Sequence, residues 1–423
     1  MAEATYTVRI AWEPVPSNAF VLDGSYLNGT DTLTNQYSDS LDLLQFGLST
    51  FGGTDVFAGS FDALYSDVSA SVQSVTIRRG RDSNLSTFSA GEATITLKDT
   101  SATYSPLNTA SPLYPNVVPG RPVLIAATFG TVEYGQFRGF VRSIEHDPAR
   151  DAKHTIVHAQ DLFLFLSRAK PTITNTGTIT TGAAIGTVLT SIDWTDTNYR
   201  SLDTGDTINA GFSNNAESTA LQLIEGFLET ERGEFFHARG GTIVYRDRYD
   251  RYTRTSAGTI TNAAANATAA TDLTNIRNRA KVIKTGSGTA TWTDYTSALN
   301  YGYSDYPTID SAYINTAAQG TALAQWLVSQ AKDPTPPVRA LRFTANRSDA
   351  LMVQALQRDL GDRITVVDTA IAGTADFYIE GIDHQVRSGG KVHEVSYTLS
   401  SVPANPALIF GTSKFGGADV FAF

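Results

Sequence analysis

Six histidines are the residues of this chain with the broadest catalytic use, and two of them have the spacing of a helical metal site. His154 and His158 stand at i and i+4, but the sequence around them alternates as a strand does, which would place the two imidazoles about 13 Å apart on one sheet face. One zinc ion does not bridge that separation, and no His-Glu-x-x-His motif is present. Cysteine is absent, so thiolate ligands, disulfides and a thiol nucleophile are excluded. We predict no metal site and no cofactor.

The acidic residues do not have the arrangement of a hydrolase. Glu145-His146-Asp147 contains the residue types of part of a catalytic triad, but no Gly-x-Ser-x-Gly elbow accompanies it. Four glutamates cluster around the end of one predicted helix: Glu225, Glu229, Glu231 and Glu234. A glycosidase needs two carboxylates that face each other across a cleft, whereas Glu225 and Glu229 lie one turn apart on what we interpret as a solvated helical face. We therefore predict no catalytic residues and no enzymatic activity.

Basic residues occur in two short stretches. Arg78-Arg79-Gly80-Arg81 forms a basic turn, and residues 246–254 read RDRYDRYTR. A net charge of −10 argues against non-specific binding to nucleic acid, although an acidic surface lets a duplex pass without sticking. We interpret the first stretch as a contact with a neighbouring subunit. For the second we favour an exposed strand of mixed charge, with a carbohydrate-facing or protein-facing strand as the alternative.

The elements that must position these residues are mostly strands. Period-2 alternation predicts strands at 5–12, 72–78, 93–98, 123–129, 132–144, 154–159, 363–367, 375–381 and 392–400. Apolar spacing and end signals predict helices at 216–231, 316–331 and 349–358, and Arg239-Gly240-Gly241 predicts a hairpin. Prolines at 106, 112, 115 and 119 make 104–122 an irregular loop. We expect four side chains to hold that loop by packing: Tyr104, Leu107, Leu113 and Tyr114.

Composition agrees with a β-rich assembly protein. Of the 423 residues only 17% are charged, against about 25% in typical soluble domains, and Thr, Ser, Ala, Gly and Asn fill the difference. The first residues contain no apolar core of a signal peptide, and no apolar run approaches the ~18 residues of a membrane-spanning helix. We expect a protein that is made in the cytoplasm and has no membrane segment.

The stretch 74–125 combines a strand, the basic turn, a second strand, the proline-rich loop and a third strand that begins after Pro119-Gly120-Arg121-Pro122. This order, with glycine, proline and charge in register, resembles the front of the tail-tip (baseplate) hub and tail-associated minor tail proteins of long-tailed siphophages. The resemblance implies a mainly β fold with an α+β insertion: two related β-barrel domains of the phage hub type plus a smaller α/β module. Five residues are then candidates for the subunit interface: Arg78, Arg79, Arg81, Tyr114 and Arg121.

The same resemblance implies a structural protein of the virion. It implies a homotrimer at the tail tip that adapts the hexameric tail ring to a threefold tip and lines the channel for DNA exit. Its partners would be the distal tail protein ring, the tape-measure protein, and spike or receptor-binding proteins, with DNA only in transit. Two alternatives stay open. A receptor- or carbohydrate-binding tail adhesin predicts exposed aromatic platforms, and a cell-wall hydrolase predicts a cleft with paired carboxylates.

Two internal repeats bear on this architecture. Residues 119–154 and 360–393 share the order glycine, strand, phenylalanine, strand, isoleucine, hairpin and histidine. This order indicates either two related barrels or a chance similarity in the turn and end residues of β-strands. Residues 46–58 (FGLSTFGGTDVFA) and 410–422 (FGTSKFGGADVFA) match at ten of thirteen positions. They are either hairpins that pair with each other or docking segments that add strands to partners. Eight apolar anchors would carry such docking: Phe46, Phe51, Val56, Phe57, Phe410, Phe415, Val420 and Phe421.

These observations predict four parts of the chain. Residues 1–170 would form an N-terminal arm and the first barrel, and 171–272 an α+β insertion module with a linker. Residues 273–403 would form the second barrel with helices, and 404–423 the C-terminal docking segment.

Overall fold

The computed structural model describes residues 2–12, 43–44, 56–57, 65–83, 86–147, 153–175, 177–205, 207–261, 266–269, 276–285, 288–334, 338–368 and 373–402. In the first half of the chain the strands are β1 (Thr5–Ile10), β2 (Leu43–Leu44), β3 (Val56–Phe57), β4 (Ser66–Asp67), β5 (Val72–Gly80), β6 (Ser89–Lys98), β7 (Pro122–Phe129), β8 (Val132–Asp147), β9 (His154–Gln160), β10 (Thr172–Asn175), β11 (Ile179–Thr180), β12 (Arg200–Leu202), β13 (Ile208–Asn209) and β14 (Phe212–Asn215).

In the second half the strands are β15 (Glu234–His237), β16 (Ile243–Arg246), β17 (Ser256–Thr261), β18 (Asn266–Ala269), β19 (Arg279–Lys284), β20 (Gly288–Thr293), β21 (Ile309–Ser311), β22 (Val338–Thr344), β23 (Arg363–Asp368), β24 (Gly373–Arg387) and β25 (Val392–Ser401). The helices are α1 (Phe163–Leu166), α2 (Thr181–Ser191), α3 (Ala220–Glu231), α4 (Asp250–Thr253), α5 (Tyr295–Tyr301), α6 (Ala317–Ala331) and α7 (Asp349–Gln357). The fold is mainly β, as predicted.

One 13-stranded sheet joins the two ends of the chain. Its strands run in the order β18-β22-β25-β24-β5-β6-β9-β8-β7-β1-β4, and β17 and β23 branch from β24. The link between the early and the late strands is the antiparallel pair of β5 with β24, in which Ile77 lies opposite His384 and Arg79 opposite Ile382. The described strands do not close on themselves, so the predicted pair of separate barrels is not confirmed.

The predicted repeat of 119–154 and 360–393 corresponds to two similar antiparallel meanders. β7, β8 and β9 form the first, and β23, β24 and β25 form the second. In each meander a long central strand pairs with both neighbours and carries a register shift. The order of parts read from the sequence is therefore present, within one continuous sheet.

Alternating side chains build one apolar core on each half of this sheet. The early strands contribute Val8, Ile10, Val75, Ile77, Ile95, Leu97, Ile125, Phe137 and Val157, all almost fully buried. The late strands and α7 contribute Leu341, Met352, Leu356, Ile364, Phe377, Ile379, Ile382, Val395 and Tyr397. On β5 the intervening Thr76 and Arg78 face solvent, as the period of two requires.

Two smaller cores complete the described part of the chain. Helices α2 and α3 pack together beside the sheet β12-β16-β15, around Ile185, Leu189, Leu223, Ile224 and Phe227. Helix α6 covers the sheet β20-β19-β21 through Leu323, Ala324 and Leu327.

Helix α2 was not predicted from the sequence, because 170–214 is rich in threonine and glycine. Its signal was the spacing of Ala184, Ile185, Val188 and Leu189, none of which is exposed. The predicted domain limits stay predictions.

The three predicted helices form, and their first residues are set by capping side chains. Thr316 caps α6 through a reciprocal pair with Gln319, and Ser348 accepts a hydrogen bond from the Leu351 amide at the start of α7. Helix α3 begins four residues later than predicted, because Thr219 rather than Asn215 is its cap.

The loop before β7 is a chain of turns. Backbone amides of Ser105, Asn108, Ser111 and Tyr114 each donate to the carbonyl three residues earlier. Tyr104 and Leu113 pack on the early core, as predicted. Leu107 is 88% exposed and Tyr114 47% exposed, so the packing predicted for these two is wrong. The backbone turns hold this part of the loop instead.

The buried carboxylate of Asp99 anchors the beginning of that loop. It accepts hydrogen bonds from the amides of Thr103 at 2.7 Å and Tyr104 at 3.1 Å, and from the Thr155 hydroxyl on β9 at 2.8 Å. We expect Asp99→Ala to lower the free energy of unfolding by about 2–4 kcal/mol, because three buried donors lose their acceptor. Urea unfolding measures this loss, and Asp82→Ala, at a solvent-exposed aspartate, is the control. Equal losses in the two variants would contradict the anchor.

Candidate functional site: a buried arginine–carboxylate junction

The three arginines of the basic turn do not share one surface. The side chain of Arg78 is 73% exposed and lies near Asp82 and Asp383 at 3.9 and 3.6 Å. Arg79 and Arg81 are buried on the other face, in ion pairs within the chain. Strand alternation explains the division, since residues 79 and 81 follow the inward face of β5. Of the three, Arg78 is the one that stays available for the predicted subunit contact.

Arg81 belongs to a buried junction of charged side chains. Its Nε lies 2.6 Å from Glu380 Oε2, and its Nη2 lies 3.4 Å from Glu234 Oε1. Arg251 Nη2 bridges the same two glutamates, at 2.5 Å from Glu380 and 3.0 Å from Glu234. Arg254 Nη2 completes the set at 2.7 Å from Glu234 Oε2. With Asp250, which pairs with Arg254, the junction contains three positive and three negative charges.

Each partner comes from a different part of the chain. Arg81 follows β5 in the early part of the 13-stranded sheet (β1 and β4–β9, the early sheet). Glu234 begins β15 of the central module, which consists of α2, α3 and the sheet β12-β16-β15. Glu380 lies in β24 of the late part of the large sheet (β17, β18 and β22–β25, the late sheet). Arg251 lies in α4, and Arg254 directly follows it. The junction therefore joins the early strands, the central module and the late strands at one buried point.

Neutral contacts fix the arginines in place. The guanidinium of Arg251 stacks 4.5 Å from the Tyr378 ring, and that of Arg81 stacks 4.4 Å from Phe88. The Tyr378 hydroxyl donates to the Arg251 carbonyl, and the Ser400 hydroxyl donates to Glu380. Such stacking suits the planar guanidinium group, and lysine would not reproduce it.

Gly80 lets the two strands approach at this point. Its φ is +114°, and a Cβ atom added there would lie 2.3 Å from the Glu380 carbonyl oxygen. Both the backbone angle and the contact require glycine between the arginines. The basic turn of the sequence is thus a structural motif that delivers Arg79 and Arg81 inward.

Electrostatics keep both glutamates ionised. Burial opposes ionisation of Glu234, but the charges of Arg251, Arg254 and Arg81 outweigh it and lower its pKa to about 2. The pKa of Glu380 is lowered in the same way, with burial opposed by Arg251 and Arg81. Neither carboxylate can donate a proton near neutral pH, so neither suits the general acid of a hydrolase.

The prediction for 246–254 was wrong in its structure and exposure. The segment contains the short helix α4 rather than an exposed strand, and Arg248 and Arg251 are buried. Arg248 Nη2 donates to the Thr207 hydroxyl at 2.7 Å, inside the central module. Alternating charge was interpreted as a solvated surface, whereas buried carboxylates distant in sequence neutralise these arginines.

A second ion pair lies beside the junction. Arg79 Nη1 lies 2.8 Å from Asp359 Oδ1, and the Arg239 amide donates to Asp359 Oδ2 at 3.0 Å. Arg239 Nη1 also donates to the carbonyls of Gly135 and Leu356, both at 2.9 Å. These contacts attach the β15–β16 hairpin to β5, β8 and the residues after α7.

A buried hydrogen-bonded chain links β1 to the late strands. The Tyr6 hydroxyl lies 2.7 Å from His393 Nδ1, and His393 Nε2 lies 2.9 Å from His384 Nδ1. Both histidines are almost fully buried. Burial lowers the pKa of His393 to about 4. Burial also lowers the pKa of His384, and the charges of His393, Arg79 and Arg239 lower it further. Both imidazoles are therefore neutral at physiological pH.

The four glutamates that cluster at the end of the predicted helix divide between two environments. Glu231 and Glu234 are buried, while Glu225 and Glu229 line a groove of about 420 Å³ beside Arg81 and Arg232. Burial raises the pKa of Glu225. Glu225 and Glu229 stand on the same helix, without a facing carboxylate among the residues that line the groove. In the described residues, no group of three or more potential metal ligands occurs and no helix has the length and apolarity to cross a membrane.

The other predicted interface and docking residues fall in three classes. Tyr114 is exposed, and Arg121 donates to Asn116 Oδ1 at 2.8 Å. Val56 and Phe57 form β3, which pairs in parallel with β2. Six predicted anchors lie outside the described residues: Phe46, Phe51, Phe410, Phe415, Val420 and Phe421. Their docking role stays a prediction.

Comparison with solved structures identifies the fold. The tail protein from Neisseria meningitidis MC58 matches with a TM-score of 0.53 and 12% identity, over 78% of this chain and 92% of that one. The 43 kDa tail protein of prophage MuSo2 from Shewanella oneidensis matches with a TM-score of 0.52 and 14% identity, over 80% and 97%. No protein-family model and no curated protein matches the sequence. The resemblance to phage tail proteins is confirmed for the fold.

The junction predicts a large effect of removing one buried charge. We expect Glu380→Gln to lower the free energy of unfolding by about 3–5 kcal/mol, because Arg81 and Arg251 lose a buried counter-charge. Arg78→Ala, which removes an exposed arginine three residues before Arg81, is the matched control and should change stability by less than about 1 kcal/mol. Guanidinium unfolding measures both. A Glu380→Gln loss no larger than that of the control would show that the junction does not hold the parts together.

The histidine chain predicts a pH-dependent stability. His393 binds a proton less readily when folded, with a pKa of about 4 against about 6.5 when unfolded, so stability falls as pH drops below 6.5. Between pH 7 and pH 5 this amounts to about 2 kcal/mol, which His393→Gln should remove from the slope. Buried Asp161, whose pKa is raised to about 7, has the opposite slope in both proteins and cancels in the difference. Identical slopes would contradict a neutral, buried His393.

Proposed function

Since the chain has the fold of phage tail proteins, we propose that it is a non-enzymatic structural component of a phage virion, and specifically the trimeric hub of a tail tip. The observation that carries the proposal is the buried junction, which fastens the early sheet, the central module and the late sheet into one rigid unit within that fold. A hub must pass force between a tail above and a receptor-binding tip below, and a rigid subunit is suited to that task.

In the proposed hub each chain supplies two sheet lobes. Three copies then present six similar lobes toward the hexameric distal tail ring, while the other face keeps threefold symmetry. The tape-measure protein would lie inside the ring, and spike or receptor-binding proteins below it. A net charge of −10 suits a channel through which DNA passes without binding.

Contacts between copies would use exposed residues near the basic turn and the proline-rich loop. Arg78 and Tyr114 are exposed, and Arg121 stands at the start of β7, beside that loop. Arg79, through its pair with Asp359, and Arg81, through the junction, support this surface from inside rather than by direct contact with a neighbour. Aromatic and arginine side chains are enriched at such interfaces.

The buried state of the charged residues supports a mechanical role over a catalytic one. The two glutamates that lie closest to several arginines are inaccessible and ionised, and all their partners are structural. The open groove beside α3 lacks a facing pair of carboxylates among its lining residues. Host binding would shift the ring as a body, open the channel, and release first the tape measure and then DNA.

Native mass spectrometry and electron-microscope class averages test the proposal. We expect a trimer of about three times 45.4 kDa, which forms a ring with six outer lobes, alone or with its distal tail ring. Arg78→Glu together with Tyr114→Ala should weaken the trimer, whereas Arg387→Ala, an exposed arginine on β24, serves as the control. A chain that stays monomeric even when the tail ring is present would overturn the hub.

A further inference from the structure

An exposed apolar surface lies on the small module around β20 and α5. Twelve large apolar side chains are exposed in the described chain, and five of them fall within residues 292–303. They are Trp292 (43% exposed), Tyr295 (73%), Leu299 (87%), Tyr301 (41%) and Tyr303 (65%). Tyr295 and Leu299 stand one turn apart on the same face of α5. Such a concentration of aromatic residues is typical of a binding surface rather than of scattered exposure.

The backbone that carries these side chains is held rigidly from beneath. Buried Asn278 donates to the Gly302 carbonyl at 2.7 Å and accepts from the Ser304 amide at 2.9 Å, while its carbonyl accepts from the Asp294 amide at 2.9 Å. Asp294 caps α5 through the Ser297 amide and pairs with Lys332 at 3.0 Å. The aromatic residues are therefore exposed on an ordered support, which reduces the entropy lost on binding.

Strand β20 adds an open sheet edge to this surface. It is an outer strand of the order β20-β19-β21, and its outer edge has no strand partner in the described chain. Its six residues, GTATWT, include no charge and no proline. Edge strands of natural proteins usually contain charged residues or proline, or are covered by another element. An edge of this composition that leads directly into exposed aromatic residues is suited to receive an added strand.

The polar groups beside the surface favour a peptide over a sugar. A glycan platform needs free side-chain hydrogen-bonding groups around its aromatic residues. Here Arg279 and Asp305 bind each other through two hydrogen bonds, Asp294 binds Lys332, and Asn278 is used internally. Besides the hydroxyls of the exposed Tyr295, Tyr301 and Tyr303, the surface offers the backbone amides and carbonyls of the outer β20 edge, which an added strand requires.

We propose that the surface formed by the β20 edge and the exposed aromatic residues of 292–303 binds residues 410–422 of the same chain as an added strand. The segment is chemically suited to this surface. Its apolar side chains Phe410, Phe415, Val420 and Phe421 can pack on the aromatic residues, and its chain, which has few charged side chains, can pair with the open strand edge. Each partner covers the exposed apolar area of the other. The proposal concerns one chain and does not depend on the tail-tip function.

The related repeat supports an added strand. Residues 46–58 match 410–422 at ten of thirteen positions, and their Val56–Phe57 pair is strand β3, hydrogen-bonded to β2. The equivalent residues of the second copy are Val420 and Phe421. The motif thus forms a strand where the structure describes it.

The connectivity of the chain favours this contact. The described chain leaves β25 at Val402, and β25 pairs with β22 so that Thr398 lies opposite Ala340. β22 begins at Val338, six residues after Lys332, which holds the α5 cap. Seven residues connect Val402 to Phe410, so the two Cα atoms can lie up to about 28 Å apart when this segment is extended. A short tether of this kind gives the segment a high effective concentration at its own surface.

Photo-cross-linking of the full chain tests the proposal. Thr291 on β20 is replaced by the photoreactive residue benzoylphenylalanine. The same replacement of Val132, an exposed residue on β8, is the positional control. The protein is prepared as an equal mixture of ¹⁴N and ¹⁵N chains, and cross-linked peptides are identified by mass. We expect position 291 to capture peptides from 403–423 of the same isotope, at least five-fold more often than position 132 does.

A matched pair of variants checks the specificity of the contact. Phe421→Ser should reduce the capture at least five-fold, and Phe57→Ser, at the equivalent position of the first repeat, should leave it unchanged. Mixed-isotope products at about half of all captures, the share that random pairing of the two kinds of chain gives, would assign the segment to a second copy and overturn the proposal. Capture equal to that at position 132 would leave the surface to another partner, such as a glycan, and would also overturn it. Neither result would affect the trimer measurement.

Discussion

The structure depends on the neutralisation of charges that are removed from water at one point. Glu234 and Glu380 are buried. Glu234 is stable as an anion while Arg81, Arg251 and Arg254 surround it, and Glu380 while Arg81 and Arg251 do. Arg81 and Glu380, which form one of these ion pairs, lie 299 residues apart in the sequence. If any one of the three parts of the chain leaves its place, several charges become unpaired in an apolar setting. The early sheet, the central module and the late sheet are therefore expected to fold and unfold as one unit.

This constraint explains why the two lobes form one sheet. The β5–β24 pair supplies backbone hydrogen bonds between the lobes, while the junction and the Arg79–Asp359 pair tie the same two strands to the central module. The Tyr6–His393–His384 chain adds a third connection from β1. In the proposed hub, such a subunit would move as a body when the tail tip binds a host. Hinge motion between its lobes would require the exposure of buried charge.

The sequence predicted local structure well and the long-range charge pairs poorly. Alternation along β5–β9 and β23–β25 indicated the strands, and Thr316 and Ser348 marked two helix starts, because those signals act over a few residues. The resemblance over 74–125 led to the fold of phage tail proteins, although the two separate barrels that it implied are not confirmed. Arg79, Arg81 and Arg251 were interpreted as surface residues, since a charged stretch is usually solvated. The burial of Arg79 depends on Asp359, and that of Arg81 and Arg251 on Glu234 and Glu380. These carboxylates lie in other parts of the chain, and no local pattern indicates the pairing.

The charged junction also favours the register in which β5 and β24 pair. Because side chains alternate along a strand, a slip of one residue would turn Arg79 outward and bring Arg78 to the buried face. Arg78 would then meet the apolar core, and Glu380 would lose Arg81. The same slip would turn Val75 and Ile77 of β5 out of the apolar core, so the paired charges and the apolar side chains favour the same register. Gly80 allows the two strands to approach closely at this point, since a Cβ atom there would meet the Glu380 carbonyl oxygen. The buried charges are thus expected to add specificity of strand pairing to the stability that the ion pairs provide.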